Sequence, residues 1–461
     1  MSSLAFAIMQ TLLIPVLPVL RVELGTSQEW VTWTVTIFLL VGVVITPVFS
    51  RLGDQFGKVR MMVVSLVVFL IGSLGALCAW NITSLIMWRG VQGVGAAVFP
   101  LSFAIIRDHL PEERWSVAMG TVSSVLGVGG GVGIVAAGLI ADHVSWRWLF
   151  VLSAVIGLTA LLLVLRFIPE SPLRASSSVD VPGAVLLSIG LGALLVALAE
   201  GNQWGWLSPA ILALFAGSLI VLVLWVIVER RTETPMVDLR VMSHRPVLFT
   251  NITAFLSGYA LYSTWLILPT FFQFPSTLPE DLQHLATFGF NMSVTEAGLW
   301  MLPCSAAIVV GGPVAGMIGQ RFGAGVPLWI GMGFSAAGSA GIAMWHDSAL
   351  TTSLWFALAG IGIGFAFAAM PRLIVGSVPP TQTAVATGLN NVVRTVGGVM
   401  GGQIAAALVA AHTVGGTTVS AESGYRIAFW ASVVAALMGV GTALAITSRR
   451  ERPGAVAPSR G

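Results

Sequence analysis

The sequence predicts an all-α polytopic membrane protein with 14 transmembrane helices, and three observations carry that prediction. First, 461 residues hold only 22 Lys and Arg and 19 Asp and Glu, mostly in short clumps between apolar stretches of roughly membrane-spanning length. Second, 56% of residues are hydrophobic and the mean hydropathy is +0.92, more apolar surface than one soluble core can hide. Third, basic residues fall almost entirely on one side of the alternating connections, as the positive-inside rule requires.

The spans run, in order, near Leu4 to Leu20, Trp30 to Ser50, Met61 to Trp80, Ser84 to Ile106, Ser116 to Ala141, Trp148 to Ile168 and Val181 to Ala199. Seven more lie near Leu207 to Val228, Val247 to Phe272, Ala297 to Ile318, Val326 to Trp345, Leu350 to Met370, Thr383 to Ala411 and Ile427 to Thr447. The first run has no basic n-region and no small-residue cleavage site, so it reads as a helix and not as a signal peptide. An even count puts both termini on one side. With that side cytoplasmic, the inner connections carry Arg51, Lys58, Arg60, Arg114, Arg230, Arg231, Arg240, Arg245, Arg449 and Arg450, and the outer ones only Arg21, Arg147 and Arg426. Trp30, Trp80, Trp146, Trp204, Trp206 and Trp345 then fall at outer boundaries, where an indole ring prefers the headgroup level. The expected location is the plasma (inner) membrane, with N- and C-termini cytoplasmic.

Composition also excludes functions. No window sets Lys or Arg on one helix face with interleaved aromatics, so nucleic acid is not a partner. Cys78 and Cys304 both lie in apolar runs and match no metal or disulfide spacing. The one lysine, Lys58, precedes Val59, so there is no Walker loop for ATP. No HExxH, membrane carboxylate pair or Ser-His arrangement falls within the spans, so no catalytic residue, metal or cofactor is expected. A sensor or scaffold would normally carry a soluble domain, and the longest segment outside the spans is near Gln273 to Glu296, a lid or a simple loop.

The chain repeats itself. Gly53-Asp54-Gln55-Phe56-Gly57 follows span two, and Gly319-Gln320-Arg321-Phe322-Gly323 follows span ten, 266 residues later. Pro111 with Val117, Ala118 and Gly120 is matched 268 residues on by Pro379 with Val385, Ala386 and Gly388. Two near-equal offsets imply duplicated six-helix halves with spans seven and eight inserted. The expected organisation is an N-terminal bundle over 1–170, two inserted helices and a linker over 171–246, a C-terminal bundle over 247–448 and a tail over 449–461. Such halves bind substrate near the midplane and rock to alternate access.

Three motifs resemble those of the major facilitator superfamily, in particular its 14-helix drug:proton antiporter family, along nearly the whole chain. Ser50 to Arg60 is similar to the motif after helix two, with Ser50 and Gln55 departing from it. The resemblance implies a cytoplasmic gate motif at Gly53, Asp54, Gly57, Lys58 and Arg60. On residue chemistry alone Asp54 caps a helix end while Lys58 and Arg60 face the inner leaflet. Trp88 to Gly95 resembles the second motif, with Arg89 and Gln92 in place. An arginine within a span costs about 2.5–3.5 kcal/mol unless partnered, so Arg89 faces either a transport cavity or buried acceptors. Asn390, Asn391 and Arg394 form a second polar cluster, read as cavity lining or helix-to-helix glue. Span five is rich in glycine, with Gly127, Gly129, Gly130, Gly131, Gly133 and Gly138. Gly133 and Gly138 take the antiporter motif's helix-packing positions, although Ile134 replaces its proline and Ala137 one of its glycines.

The function implied is export of lipophilic small molecules such as drugs and antibiotics by a monomer, driven by protons. The alternative is a dedicated exporter of one secondary metabolite with uncertain ion coupling. Phe255, Tyr259, Tyr262, Trp265 and Met301 are candidate pocket residues, or a packing stripe. Proton coupling needs a titrating group in the path, yet no carboxylate or histidine lies at mid-depth and Met9 stands where many relatives carry aspartate. Glu200 is the first remaining candidate, then Asp142, Glu23 and Glu296, each equally readable as a boundary residue. Arg89 changing partners, with the substrate carrying the proton, is the other route.

Overall fold

A computed structural model describes residues 1–13, 16–171, 180–275, 288–414, 417 and 419–447. It is helical. The first run is two short helices, α1 (Ser2–Thr11) and α2 (Leu17–Glu23), the second with proline in its first turn. There follow α3 (Gln28–Phe56), α4 (Lys58–Leu77), α5 (Ile82–Gly93) continued through a 3-10 segment into α6 (Val98–His109), α7 (Glu112–His143) and α8 (Arg147–Phe167). Next come α9 (Val181–Trp204), α10 (Pro209–Arg231) and the short α11 (Leu239–Ser243). The chain closes with α12 (Arg245–Gln273), α13 (Val294–Phe322), α14 (Gly325–Met344), α15 (Ala349–Val375), α16 (Thr383–Ala411) and α17 (Glu422–Thr447).

Among the described residues, 12 helices are long and apolar enough to cross a membrane. Local sequence sets their ends. Asn81 and Ser84 form a capping box at α5, Ser293 and Glu296 another at α13, and Ser27 and Ser208 cap α3 and α10. The repeat is visible in the backbone, since α3 ends at Gly57 with φ +119° and α13 at Gly323 with φ +90°. Only glycine takes that conformation without strain, which explains one glycine at the same place in each repeat.

Apolar burial separates two cores. One gathers side chains between Ala5 and Phe150, including Phe6, Phe38, Phe69 and Trp146. The other gathers side chains between Ala254 and Ala443, including Phe271, Met301, Phe356 and Phe429. Helix α9 packs on α3 of the first set and on α16 of the second, and α10 packs on α9. Where the two sets meet along α7 and α13 the backbones nearly touch. A Cβ at Gly312 would lie 2.5 Å from the Gly120 carbonyl oxygen, one at Gly316 2.7 Å from that of Ser116, and one at Gly127 2.7 Å from that of Ser305.

Three expectations change here. Trp146 is fully buried and its indole donates to Glu23 at 2.8 Å, so it is not a headgroup anchor and Glu23 is already engaged. Glu296 accepts from the Ser293 amide and hydroxyl, which makes it a cap. Gly133 is buried in α7, and a close seam onto α13 runs through Gly120, Gly127 and Gly131 of the same helix. The surroundings of Gly138 and Asp142, most of the Gln273 to Glu296 connection and the 449–461 tail lie outside the described residues.

Because backbone blocks the space at Gly312, Gly312→Val should lower the thermal midpoint of the purified protein in detergent, by the equivalent of about 1–3 kcal/mol. Gly217→Val, at a position with nothing within 4 Å, should leave it unchanged.

Candidate functional site

The residues after α3 build a joint between the two helix sets. Helix α16 has no side-chain cap of its own at Gln382. Its first-turn amides are orphan donors, and the Asp54 carboxylate accepts from Ala384 at 3.3 Å and Val385 at 3.1 Å, across 330 residues of sequence. This is an N-cap supplied by the other helix set, reinforced by the positive end of the α16 dipole.

Asp54 is fully buried and needs a counter-charge. Lys58 supplies it, with its ammonium 3.8 Å from Asp54 and 2.7 Å from Asp108, all three with no exposed side chain. Lys58 therefore does not face the inner leaflet; two carboxylates hold it inside. Arg60 does remain exposed, 3.9 Å from Glu170. Glu170 also caps α4, accepting from the amides of Val59 at 3.1 Å and Arg60 at 2.9 Å. A Cβ at Gly57 would sit 2.7 Å from the Glu170 carboxyl carbon, a second reason for glycine there.

Each contact across the joint has a counterpart in the other repeat. Arg107, at the end of α6, donates to the Val378 carbonyl at 3.0 Å and the Thr383 hydroxyl at 2.7 Å. Arg372, near the end of α15, meets Glu112 at 2.7 Å. Trp115 lies against both guanidiniums, at 5.7 and 5.1 Å. Gln320, the repeat partner of Asp54, donates to the Glu113 carbonyl in the first turn of α7. The two repeats thus dock alike, but of the equivalent pair Asp54 and Gln320 it is Asp54 that carries a charge.

Above this joint a cavity of about 40 Å³, room for two or three waters, lies between the sets. Phe6, Leu39 and Phe99 give it apolar walls, and Gln10, Tyr262, Asn391 and Arg394 give it polar ones. Gln10 donates to the Tyr262 hydroxyl at 3.0 Å, again across the two sets. Arg394 donates to Asn391 and stacks 4.2 Å from the Phe367 ring.

Other expected path residues lie elsewhere. Arg89 is fully buried inside the first set, donating to Thr34 O at 3.0 Å, Gln92 Oε1 at 2.8 Å and Met9 O at 3.5 Å, with Phe38 4.1 Å below. Gln92 passes the network to Ser73 at 2.8 Å. Arg89 does not line the cavity; carbonyl and amide acceptors meet its charge within the bundle. Asn390 donates to Asn251 at 2.9 Å, joining α16 to α12. Trp265 wedges between Gly130 and Phe356, while Tyr259, Phe255 and Met301 pack into the second core, so Tyr262 alone of these five lines the cavity. Glu200 is 3% exposed near the end of α9 away from Asp54, and its Oε2 has no hydrogen-bond partner among the described residues. Among the described residues no three His, Cys, Asp or Glu come together as a metal site.

Sequence reading missed Arg107, Asp108, Glu170 and Thr383. Each stands at a helix end beside a motif, and that was the available signal.

The Major Facilitator Superfamily family model matches residues 1–402 and 290–461. The tetracenomycin C resistance and export protein of Streptomyces glaucescens is 29% identical, covering 86% of this chain and 72% of its own length. Multidrug resistance protein 3 of Bacillus subtilis is 28% identical over 82% of this chain and 72% of its own. The human organic anion transporter MFSD10 (TETRAN) has a similar fold, with TM-score 0.64 at 15% identity, covering 96% of this chain and 97% of that one.

Removing Lys58 alone leaves two buried carboxylates without their cation, so Lys58→Met should cost about 3–5 kcal/mol. Lys58→Met with Asp108→Asn should recover part of that loss. A double-mutant cycle on thermal midpoints checks it, and additive losses would contradict the pairing.

Proposed function

Since the chain belongs to the Major Facilitator Superfamily, we propose that this multi-pass membrane transporter exports lipophilic small molecules, drugs and antibiotics among them, by alternating access driven by protons. The observation that carries the reading is the Asp54 cap on α16: a pair of hydrogen bonds that joins the two helix sets below a cavity walled by both. Such a cap is worth about 0.5–2 kcal/mol, enough to favour one state and little enough to release. The names of the relatives support export.

On this reading the chain has 14 spans. The first is α1 with α2, the fifth is the 32-residue α7, and α9 and α10 are an inserted pair between bundles over 1–170 and 247–448. The Asp54 end is cytoplasmic, by the charge bias of the connections. In the cavity Arg394, Asn391, Gln10 and Tyr262 select a substrate with acceptor groups, and the phenyl and leucyl walls select an apolar body. Among the described residues no acid lines the cavity and one Glu200 oxygen has no hydrogen-bond partner, so the proton binds outside the cavity, with Glu200 the candidate at the outer end. One charge crossing 100 mV supplies about 2.3 kcal/mol, enough for roughly a fiftyfold gradient.

A dedicated exporter of one secondary metabolite is the second reading, favoured by the similarity to the tetracenomycin C export protein. One experiment separates the two. Efflux-deficient bacteria expressing the chain should accumulate less of several unrelated lipophilic dyes and antibiotics, and a protonophore should abolish the difference. Arg394→Gln should weaken it at least severalfold. Protection against one compound alone would select the dedicated reading, and none, from folded protein in the membrane, would refute export of lipophiles.

A further inference from the structure

The inserted pair α9 and α10 carries two acids at its Asp54 end. Asp180 caps α9, accepting from the Gly183 amide at 2.8 Å with Oδ1 and from the Met236 amide at 3.3 Å with Oδ2. Glu229, in the last turn of α10, accepts from the Val237 amide with Oε1. Its other oxygen, Oε2, is buried without a donor among the described residues. That oxygen and Asp180 Oδ2 occupy one small space between α9 and α10. Both crowd Gly183, where a Cβ would lie 2.6 Å from Glu229 Oε2 and overlap Asp180 Oδ2.

Two ionised carboxylates cannot share such a space cheaply. Asp180 is 7% and Glu229 3% exposed, so water does little to screen their repulsion. One proton between them turns the repulsion into a hydrogen bond and satisfies the orphan oxygen. Among the described residues the charged groups facing Glu229 are Asp180 from α9 and Arg51 from α3, and Arg51 is also in electrostatic range of Asp54. A single guanidinium shared with Asp54 does not neutralise two further negative charges.

We propose that Asp180 and Glu229 share one proton while the Asp54 end is closed, and release it to the cytoplasm when α16 parts from α3. This rests on the transport reading above and gives its proton a second, inner address. The cover over the pair makes the link to opening. Met236 and Val237, whose amides bind the two acids, belong to an apolar cluster with Val43 of α3, Leu187 of α9 and Val385 of α16. Separating α3 from α16 splits that cluster and lets water in. The O–H bond then breaks heterolytically, the proton passes to water, and two carboxylates remain beside Arg51.

Infrared spectra of the purified protein in lipid vesicles test this without a substrate. At neutral pH the wild type should show the carbonyl stretch of a protonated carboxylic acid that is lost in both Glu229→Gln and Asp180→Asn. In Asp54→Ala, with the joint released, that band should be lost at the same pH. Identical spectra in the wild type and both pair variants would overturn the shared proton; an unchanged band in Asp54→Ala would overturn its release by opening. Ethidium-driven proton movement in the same vesicles separates this proposal from the one it rests on. Movement in the wild type that both pair variants lose supports the coupling role. Movement that persists in both variants overturns that role and leaves the transport reading standing, whereas none in the wild type removes the transport reading and the coupling role together.

Discussion

The architecture depends on one electrostatic constraint: a helix that begins without its own cap must find a hydrogen-bond acceptor, and α16 finds it in the other helix set. Asp54 meets that need at the cost of being buried. Its burial then requires Lys58, whose ammonium requires Asp108, and Asp108 accepts from the Ser171 hydroxyl beside the cap residue Glu170. A local deficit at one helix start thus organises five side chains from three separate stretches of chain. Nearly all of that network belongs to the first set and stays whole if α16 leaves, whereas the two amide contacts, those of Arg107 and that of Thr387 with the Pro100 carbonyl break.

The two repeats use one docking geometry with unequal strength. Gln320 and Asp54 both reach the first turn of a helix in the opposite set, one as a neutral donor to a carbonyl and the other as a charged acceptor from amides. Charge-assisted hydrogen bonds are roughly twice as strong as neutral ones, so of these two equivalent contacts the Asp54 one is the stronger. Along α7 and α13 the contact is instead backbone against backbone through Gly120, Gly127, Gly312 and Gly316. Close packing of that kind tolerates small rotations better than separation, which suits the seam to serve as the axis of a rocking motion.

Much of this was written locally in the sequence. Gly57 and Gly323 announce turns because φ above zero is a property of single residues, and the repeat showed itself because both turns kept their glycines. The polarity of Asn391, Arg394 and Tyr262 was equally legible. Partners were not. Nothing near Lys58 shows that it meets Asp108, and charge composition placed it at the membrane surface. Arg89 was expected at a cavity or at buried acceptors, and the choice depended on which helix face turned inward; the carbonyls of Met9 and Thr34 decided it. The first apolar run reads as one span by hydropathy, yet proline in the first turn of α2 starts a new helix at Leu17. Glu296 looked like a boundary acid and is a cap, a role fixed by Ser293 three residues earlier.

The most direct test is the distance across the joint itself. Phe56 and Phe322, repeat-equivalent and both more than half exposed, are sites for a pair of spin labels that leaves the network intact. In lipid discs the otherwise native chain should give one short distance population at rest, and Asp54→Ala should add a longer one as α16 loses its cap. The same single distribution in both proteins would show that the Asp54 cap does not hold the two helix sets together, and would contradict the account.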